Sequence, residues 1–211
     1  MAPDSQAALA WSLVIPVKVL AQAKSRLTGL PSERRSQLAL AMAADTVAAA
    51  LAADSVAAVL VITDDPDVSA VAGGLGAIVL ADTPAAGLNE AFGFGAAYAE
   101  TRWPARGRAG LAGDLPAVRP AELTDVLALA AGLRVAFVPD AGGTGTTLYA
   151  AAPGATFRSQ FGVDSRQRHL ASGAAELAGA PGLRRDVDTL EDLRLAAAIG
   201  LGPRTSALLT S

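Results

Sequence analysis

Short apolar runs bounded by turn residues alternate along this chain with longer stretches at helical spacing, which predicts a layered α/β fold on a largely parallel sheet. Ser12 to Lys18 reads as a first strand. The polar stretch Ala21 to Pro31 follows it, where such folds place a ligand-binding loop. Ser32 to Ala53 reads as a helix with Leu40, Ala43, Val47 and Leu51 on one face, and Val56 to Thr63 as a buried strand ending at the turn Asp64-Asp65-Pro66. A helix through Val68 and Val71, a strand at Ile78 to Leu80 and a helix from Leu88 to Glu100 come next. Arg106 to Asp114 occupies the place of a strand, although Gly107 and Gly110 suit one poorly.

In the second half, Ala121 to Ala131 reads as a helix and Val135 to Val138 as a strand. Gly145 to Ala152 reads as another strand, entered from the loop Asp140 to Thr144. Ser165 starts a short helix. Leu183 to Asp188 reads as a last strand, followed by a helix from Leu190 to Ile199. Thr189 is its expected N-cap, Asp192 completes a capping box, and Gly200 sits at the C-cap. Nothing marks an internal repeat or a linker, so residues 1–211 are expected to form one domain, with 1–11 as an N-terminal tail.

Composition narrows the function classes. The chain has 211 residues, 52% of them hydrophobic and only 4% aromatic, so the core must use small side chains at close approach. A net charge of −3 and a pI near 5.1, without a basic run, argue against a nucleic-acid partner. No apolar run reaches membrane-spanning length, and Met1 to Ser5 lacks the basic and apolar regions of a secretory signal. The cytoplasm is the expected compartment. With no cysteine, thiolate metal sites, disulfides and cysteine nucleophiles are excluded. Of the 17 basic residues only Lys18 and Lys24 are lysines, which either reflects chance or marks a site that needs compact, mobile point charges.

Two acidic elements carry candidate chemistry. Gly113-Asp114-Leu115-Pro116 ends the weak strand, and Asp186-Val187-Asp188-Thr189 joins a strand to a capped helix. Alternate strand positions share a face, so Asp186 and Asp188 would present their carboxylates together, an unfavourable pairing unless a cation lies between them. Carboxylate oxygens suit Mg²⁺, and Asp114 arriving from another strand end would let three carboxylates hold two ions. The structural alternative makes Asp188 a helix-entry residue and Asp114 a turn former.

Gly142-Gly143-Thr144-Gly145-Thr146-Thr147 can bring backbone N–H groups and hydroxyls to an anion, or simply connect a loop to a strand. Phe161-Gly162-Val163-Asp164-Ser165 precedes a helix that Ser165 would cap, with or without a phosphate there. His169, the only histidine, lies one turn into that helix; a structural or solvent-facing place is its default. Transfer of a phosphoryl or nucleotidyl group needs neither Cys nor His, because a phosphate monoester, with a second pKa of about 6, is already an anionic nucleophile.

The ordered set of motifs resembles the phosphoenolpyruvate or 2-phospho-L-lactate guanylyltransferases of deazaflavin coenzyme F-420 biosynthesis. The residues that carry the resemblance are Ile15-Pro16-Val17-Lys18, Ala23-Lys24-Ser25-Arg26-Leu27, Thr63-Asp64-Asp65, Gly87-Leu88-Asn89 and Gly113-Asp114-Leu115-Pro116. Gly142 to Thr147, Phe161-Gly162, Asp164-Ser165 with His169, and Asp186-Val187-Asp188-Thr189 complete it. The resemblance implies a three-layer nucleotidyltransferase fold of the glycosyltransferase-A type with a central, mostly parallel mixed sheet. It implies GTP near Lys18, Lys24 and Arg26, with Asp64 and Asn89 beside the nucleoside. It implies two Mg²⁺ on Asp114, Asp186 and Asp188, which with Lys24 form the catalytic set. Thr146, Gly162 and Ser165 would hold the phosphorylated acid, whose phosphate attacks the α-phosphorus of GTP and releases pyrophosphate. The product would pass to the next transferase of the pathway. The Ala- and Arg-rich composition resembles actinobacterial members, which points to phosphoenolpyruvate as the acid.

Two other readings remain: a nucleotidyltransferase for a sugar phosphate or molybdopterin, and a non-catalytic phosphoester-binding module. One departure from the family pattern is the strand Arg108-Ala109-Gly110-Leu111-Ala112, where branched apolar residues are usual. Either neighbours fill the space or the site beside it is less rigid.

Overall fold

The computed structural model describes residues 9–20, 27 and 29–210. Its sheet has seven strands in the order β3-β2-β1-β4-β6-β5-β7. These are β1 (Trp11–Pro16), β2 (Val56–Ile62), β3 (Ile78–Leu80), β4 (Gly107–Leu111), β5 (Val135–Pro139), β6 (Thr146–Ala151) and β7 (Ala175–Glu176). All neighbours pair in parallel except β4 with β6 and β5 with β6. The sheet is therefore mixed and mostly parallel, as expected.

Alternation along the strands builds two cores. Leu13, Ile15, Val59 and Val61 face one layer, made by α1 (Ser32–Leu51), α2 (Pro66–Leu75) and α4 (Pro120–Ala130). Val14, Leu60 and Ile62 face the other, against Ala91, Phe92 and Ala99 of α3 (Leu88–Arg102). Three layers result. Small residues let the layers meet closely: a Cβ on Gly95 of α3 would come within 2.4 Å of Val14 in β1.

The glycines of β4 make room for rings. A Cβ on Gly107 would meet the Trp11 indole at 2.4 Å, and one on Gly110 would meet Phe92 at 2.7 Å. Neighbours thus fill the space that branched residues would occupy, and β4 is buried along its whole length. Its Arg108 is buried too, bonded to Glu100 at 2.5 Å and to the carbonyls of Ala152 and Ala155.

Three expectations about the fold need correction. The N-terminal tail does not reach residue 11: Trp11 opens β1 with a buried indole, and Ala10 accepts a bond from the Gly107 N–H. Leu183 to Asp188 is not a strand. Pro181 starts a helical turn, α6 (Pro181–Arg184), because its fixed φ and missing N–H suit a first helical position. Residues 185–188 then run without a strand ladder, held by the bond from the Val187 N–H to the Asp114 carbonyl. Ser165 does not cap its helix, α5 (Ser165–Ala171): it is the first helical residue, and Asp164, at φ 54°, precedes it without a side-chain cap.

The capping box of α7 (Leu190–Ile199) is present, with Thr189 accepting from the Asp192 N–H and the Asp192 carboxylate accepting from Thr189. A final helix, α8 (Pro203–Thr210), docks on α1, where the buried Asp45 carboxylate accepts the N–H groups of Arg204 and Thr205.

Candidate active site

A cavity of about 690 Å³ opens at the C-terminal ends of β1, β4 and β5, the side on which open α/β sheets bind ligands. Three of its walls matter chemically: the acidic segments, the glycine-rich loop, and the loop Phe161 to Ser165. Lys18 lies at the mouth, just after β1, and is exposed. Lys24 and Arg26 fall outside the described residues.

Asp114, Asp186 and Asp188 all line this cavity. Asp114 follows β4 directly, where Gly113 permits β1 to pass close by: a Cβ there would lie 3.2 Å from the Pro16 carbonyl oxygen. Thr46 of α1 fixes the next residue, its hydroxyl accepting from the Leu115 N–H at 3.1 Å and donating to Met42. Val187 is fully buried among Leu27, Leu38, Met42 and Leu193, and this turns both flanking aspartates to the cavity. The expected alternation therefore holds in an extended segment that is not a strand.

Asp140 joins them, a carboxylate that the sequence reading treated only as the start of a loop. Its Oδ1 accepts the Thr144 N–H at 3.0 Å, and its side chain lies so close over Gly145 that a Cβ there would be 2.4 Å from Oδ2. A side chain there would push the Asp140 carboxylate aside. Burial, with Asp114, Asp140 and Asp188 as like-charged neighbours, pushes the Asp186 carboxyl up to about 7. A divalent cation would relieve that repulsion, and hard carboxylate oxygens are the donors that Mg²⁺ prefers, so the residues fit such an ion in kind. Among the described residues no three acidic or histidine side chains form a ready-made ligand cluster, so a bound ion would draw the carboxylates closer.

The same cavity holds a hydrogen-bonding cradle. Thr146, at the start of β6, lines the cavity with Ser165 and Gly162. The Ser165 hydroxyl donates to Thr146 Oγ1 at 3.0 Å, and His169 Nδ1 lies 3.0 Å from the same oxygen. His169 is fully buried against the rings of Phe137, Tyr149 and Phe161. Its Nε2 accepts the Gln160 N–H at 2.8 Å. Burial, helped by the nearby Arg168 guanidinium, lowers its pKa to about 4, so the ring is neutral at pH 7. Its sequence gave no sign of this place; burial by residues from β5, β6 and the loop before α5 creates it.

The Phe161-Gly162 loop is held from both sides. Arg168 donates to the carbonyls of Gln160 and Phe161. Asn89, expected beside the nucleoside, clamps this loop: its Nδ2 donates to the Phe161 carbonyl at 3.0 Å and its Oδ1 accepts the Phe161 N–H at 2.8 Å. It does not line the cavity. Gly162, at φ 114°, makes the turn that a side chain would strain. Asp64 also lies off the cavity, at the end of β2, where its carboxylate accepts the Asp82 N–H.

Comparison with known proteins places this geometry. Residues 11–179 match the family described as guanylyl transferase CofC like. The chain belongs to that family. Its relatives include the phosphoenolpyruvate guanylyltransferase of Thermomonospora curvata, 55% identical over 204 residues, with 96% of this chain and 90% of that protein covered. The protein of the same name from Streptomyces avermitilis is 52% identical, covering 93% of each chain. Among solved structures, a putative nucleotide-diphospho-sugar transferase from Desulfovibrio desulfuricans superposes with a TM-score of 0.68 at 15% identity, covering 95% of this chain and 94% of its own. That likeness fixes the fold as a nucleotidyltransferase one. As a CofC-like guanylyl transferase, the chain keeps the family and fold that its motifs suggest. No described helix is long and apolar enough to cross a membrane.

Proposed function

We propose that this CofC-like protein transfers GMP from GTP to the phosphate of phosphoenolpyruvate and releases pyrophosphate. The observation that carries the reading is the cavity itself, which brings Asp114, Asp140, Asp186 and Asp188 together with the Thr146–Ser165–His169 cradle. The names of relatives at 52% and 55% identity support the acid and the nucleotide.

In this reading Thr146, Gly162 and Ser165 hold the acid, and Lys18, Lys24 and Arg26 neutralise the triphosphate. Asp114, Asp186 and Asp188 hold Mg²⁺, two ions in the fullest arrangement. Bound there, the metal supplies positive charge where phosphate charge accumulates. The reaction forms a bond from an acceptor phosphate oxygen to the α-phosphorus and breaks the bond from that phosphorus to the bridging oxygen of pyrophosphate. The acceptor phosphate needs no general base, since it is ionised at neutral pH. The chain's contribution is to orient two anions and exclude water. Rigid loops serve this purpose: Asn89 and Arg168 grip one, and Asp140 grips the other.

Pyrophosphate release should be followed with each common nucleoside triphosphate against phosphoenolpyruvate, 2-phospho-L-lactate and a sugar 1-phosphate. Turnover with GTP and phosphoenolpyruvate is expected to exceed every other pair. Preferential turnover of a sugar phosphate, or none with any pair, would reject the reading.

A further inference from the structure

His169 is a buried polar side chain that the transfer chemistry does not call for, yet its two ring nitrogens and one neighbour leave little freedom. An amide N–H can only donate, so Nε2, which faces the Gln160 N–H at 2.8 Å, carries no proton. The neutral ring therefore keeps its proton on Nδ1 and donates it to Thr146 Oγ1, 3.0 Å away. Ser165 donates to the same oxygen at 3.0 Å. A hydroxyl oxygen has two acceptor sites, and both are then taken. The Thr146 hydrogen has only the cavity to point to.

We propose that His169 is a positioning residue for the acceptor acid: by donating to Thr146 it commits the Thr146 hydroxyl to donate towards an anionic oxygen in the cavity. Three rings hold the imidazole in that orientation, with Tyr149 stacked at 4.8 Å, Phe137 at 5.3 Å and Phe161 edge-on at 5.9 Å. The arrangement is selective. A donor fixed in advance favours a carboxylate or phosphate oxygen and disfavours a group that must itself donate, because two donors would then face each other unpaired. The Gln160 N–H sets the tautomer, so the same imidazole couples the Phe161-Gly162 loop to the cradle. This inference rests on the proposal that the acid binds at Thr146.

Two substitutions separate the ring's two bonds. Asparagine can place an N–H where Nδ1 lies, while glutamine can place an acceptor where Nε2 lies. His169→Gln is expected to raise KM for phosphoenolpyruvate about tenfold or more, the effect of losing one charge-directed bond, with kcat and KM for GTP little changed. His169→Asn is expected to stay within about threefold of wild type, allowing for the lost Gln160 bond. In a Thr146→Val background the His169→Gln effect should vanish, since the histidine acts through that hydroxyl. Wild-type KM for the acid in His169→Gln, an equal rise in KM for GTP, or a full effect in the Thr146→Val background would overturn the proposal.

A measurement on the unaltered protein covers the case in which the variants fail to fold. His169 is the only histidine, so nitrogen-15 NMR reads its tautomer without ambiguity. The Nδ1–H form is expected, with its proton resonance shifting when phosphoenolpyruvate is added; an Nε2–H form, or no response to the acid, contradicts it. If wild type makes no product from GTP and phosphoenolpyruvate, the proposed function fails, whatever tautomer is seen.

Discussion

The backbone N–H of Val187 donates to the carbonyl oxygen of Asp114 at 3.1 Å, a bond between two segments that lie far apart in the chain. It sets Asp186 and Asp188 beside Asp114 although no strand ladder joins them, and the buried Val187 side chain keeps both carboxylates turned outwards. This hydrogen bond and this apolar anchor help to assemble the acidic side of the cavity.

Asp114→Asn and Asp188→Asn keep shape and remove a charged ligand. Each is expected to lower kcat at least about a hundredfold, the scale of losing one group that stabilises transition-state charge. Far-ultraviolet circular dichroism and thermal midpoint should stay close to wild type, because neither residue packs in the core. Near-normal turnover in either variant would remove it from the catalytic set.

Asp186 carries a stability prediction of opposite sign. Its carboxyl is raised from 3.8 to about 7 in the fold, so the native state holds the proton more tightly than the unfolded chain. The associated stability is full below pH 3.8 and is lost as pH rises through 7. At pH 8 without divalent metal, Asp186→Asn is expected to melt a few degrees higher than wild type, as removal of strained active-site charge often does. Adding Mg²⁺ should stabilise wild type and leave the variant nearly unmoved. A metal-free variant that melts lower than wild type would contradict this.

Thr46→Val removes the acceptor of the Leu115 N–H, one residue beyond Asp114. An unpaired buried amide costs about 1–3 kcal/mol, so the thermal midpoint should fall. Because the same bond aims Asp114, kcat is expected to fall while KM for GTP holds. A variant equal to wild type in both would show that the turn holds itself.

His169 gives a pH dependence. Its pKa falls from 6.5 to about 4 on folding, so between those values the unfolded chain binds the extra proton and stability declines as pH drops. The loss is at most about 3 kcal/mol. Asp186 acts in the opposite sense across this whole range, so the informative quantity is a difference. Denaturant unfolding of His169→Gln should show a smaller loss between pH 6.5 and 4 than wild type; parallel curves would refute the assignment.

Gly110→Val places carbon where Phe92 already sits, a Cβ lying 2.7 Å from the ring. Overpacking of this kind costs about 1–3 kcal/mol. Phe92 also stacks on Phe161 at 4.2 Å, next to Gly162, so KM for the acid should rise with the loss of stability. Unchanged stability and KM would mean that the layers can part at no cost.

Much of this was legible in local pattern. Continuous apolar runs identified β1 and β2 because both faces of each are buried, and the capping box at Thr189 and Asp192 marked the start of α7. The aspartates were legible as a group through their turns and spacing, even though the strand assigned to Leu183–Asp188 was wrong: an extended chain alternates with or without a ladder. What the sequence hid depends on contacts distant along the chain. Nothing near Asn89 in the chain reveals that Phe161 takes both ends of its amide. Asp140 looked like a loop opener until the fold brought it to Asp186. Ser165 looked like a cap, but its hydroxyl is drawn to Thr146, and His169 became neutral only when three rings closed around it.

Phosphorus NMR of the wild-type protein with GTP, phosphoenolpyruvate and Mg²⁺ tests the proposed chemistry most directly. One pyrophosphate and one new diphosphate linkage between GMP and the acid should appear for each GTP consumed. Release of GDP and inorganic phosphate, or consumption of GTP with phosphoenolpyruvate untouched, would contradict attack at the α-phosphorus by an acceptor held in this cavity.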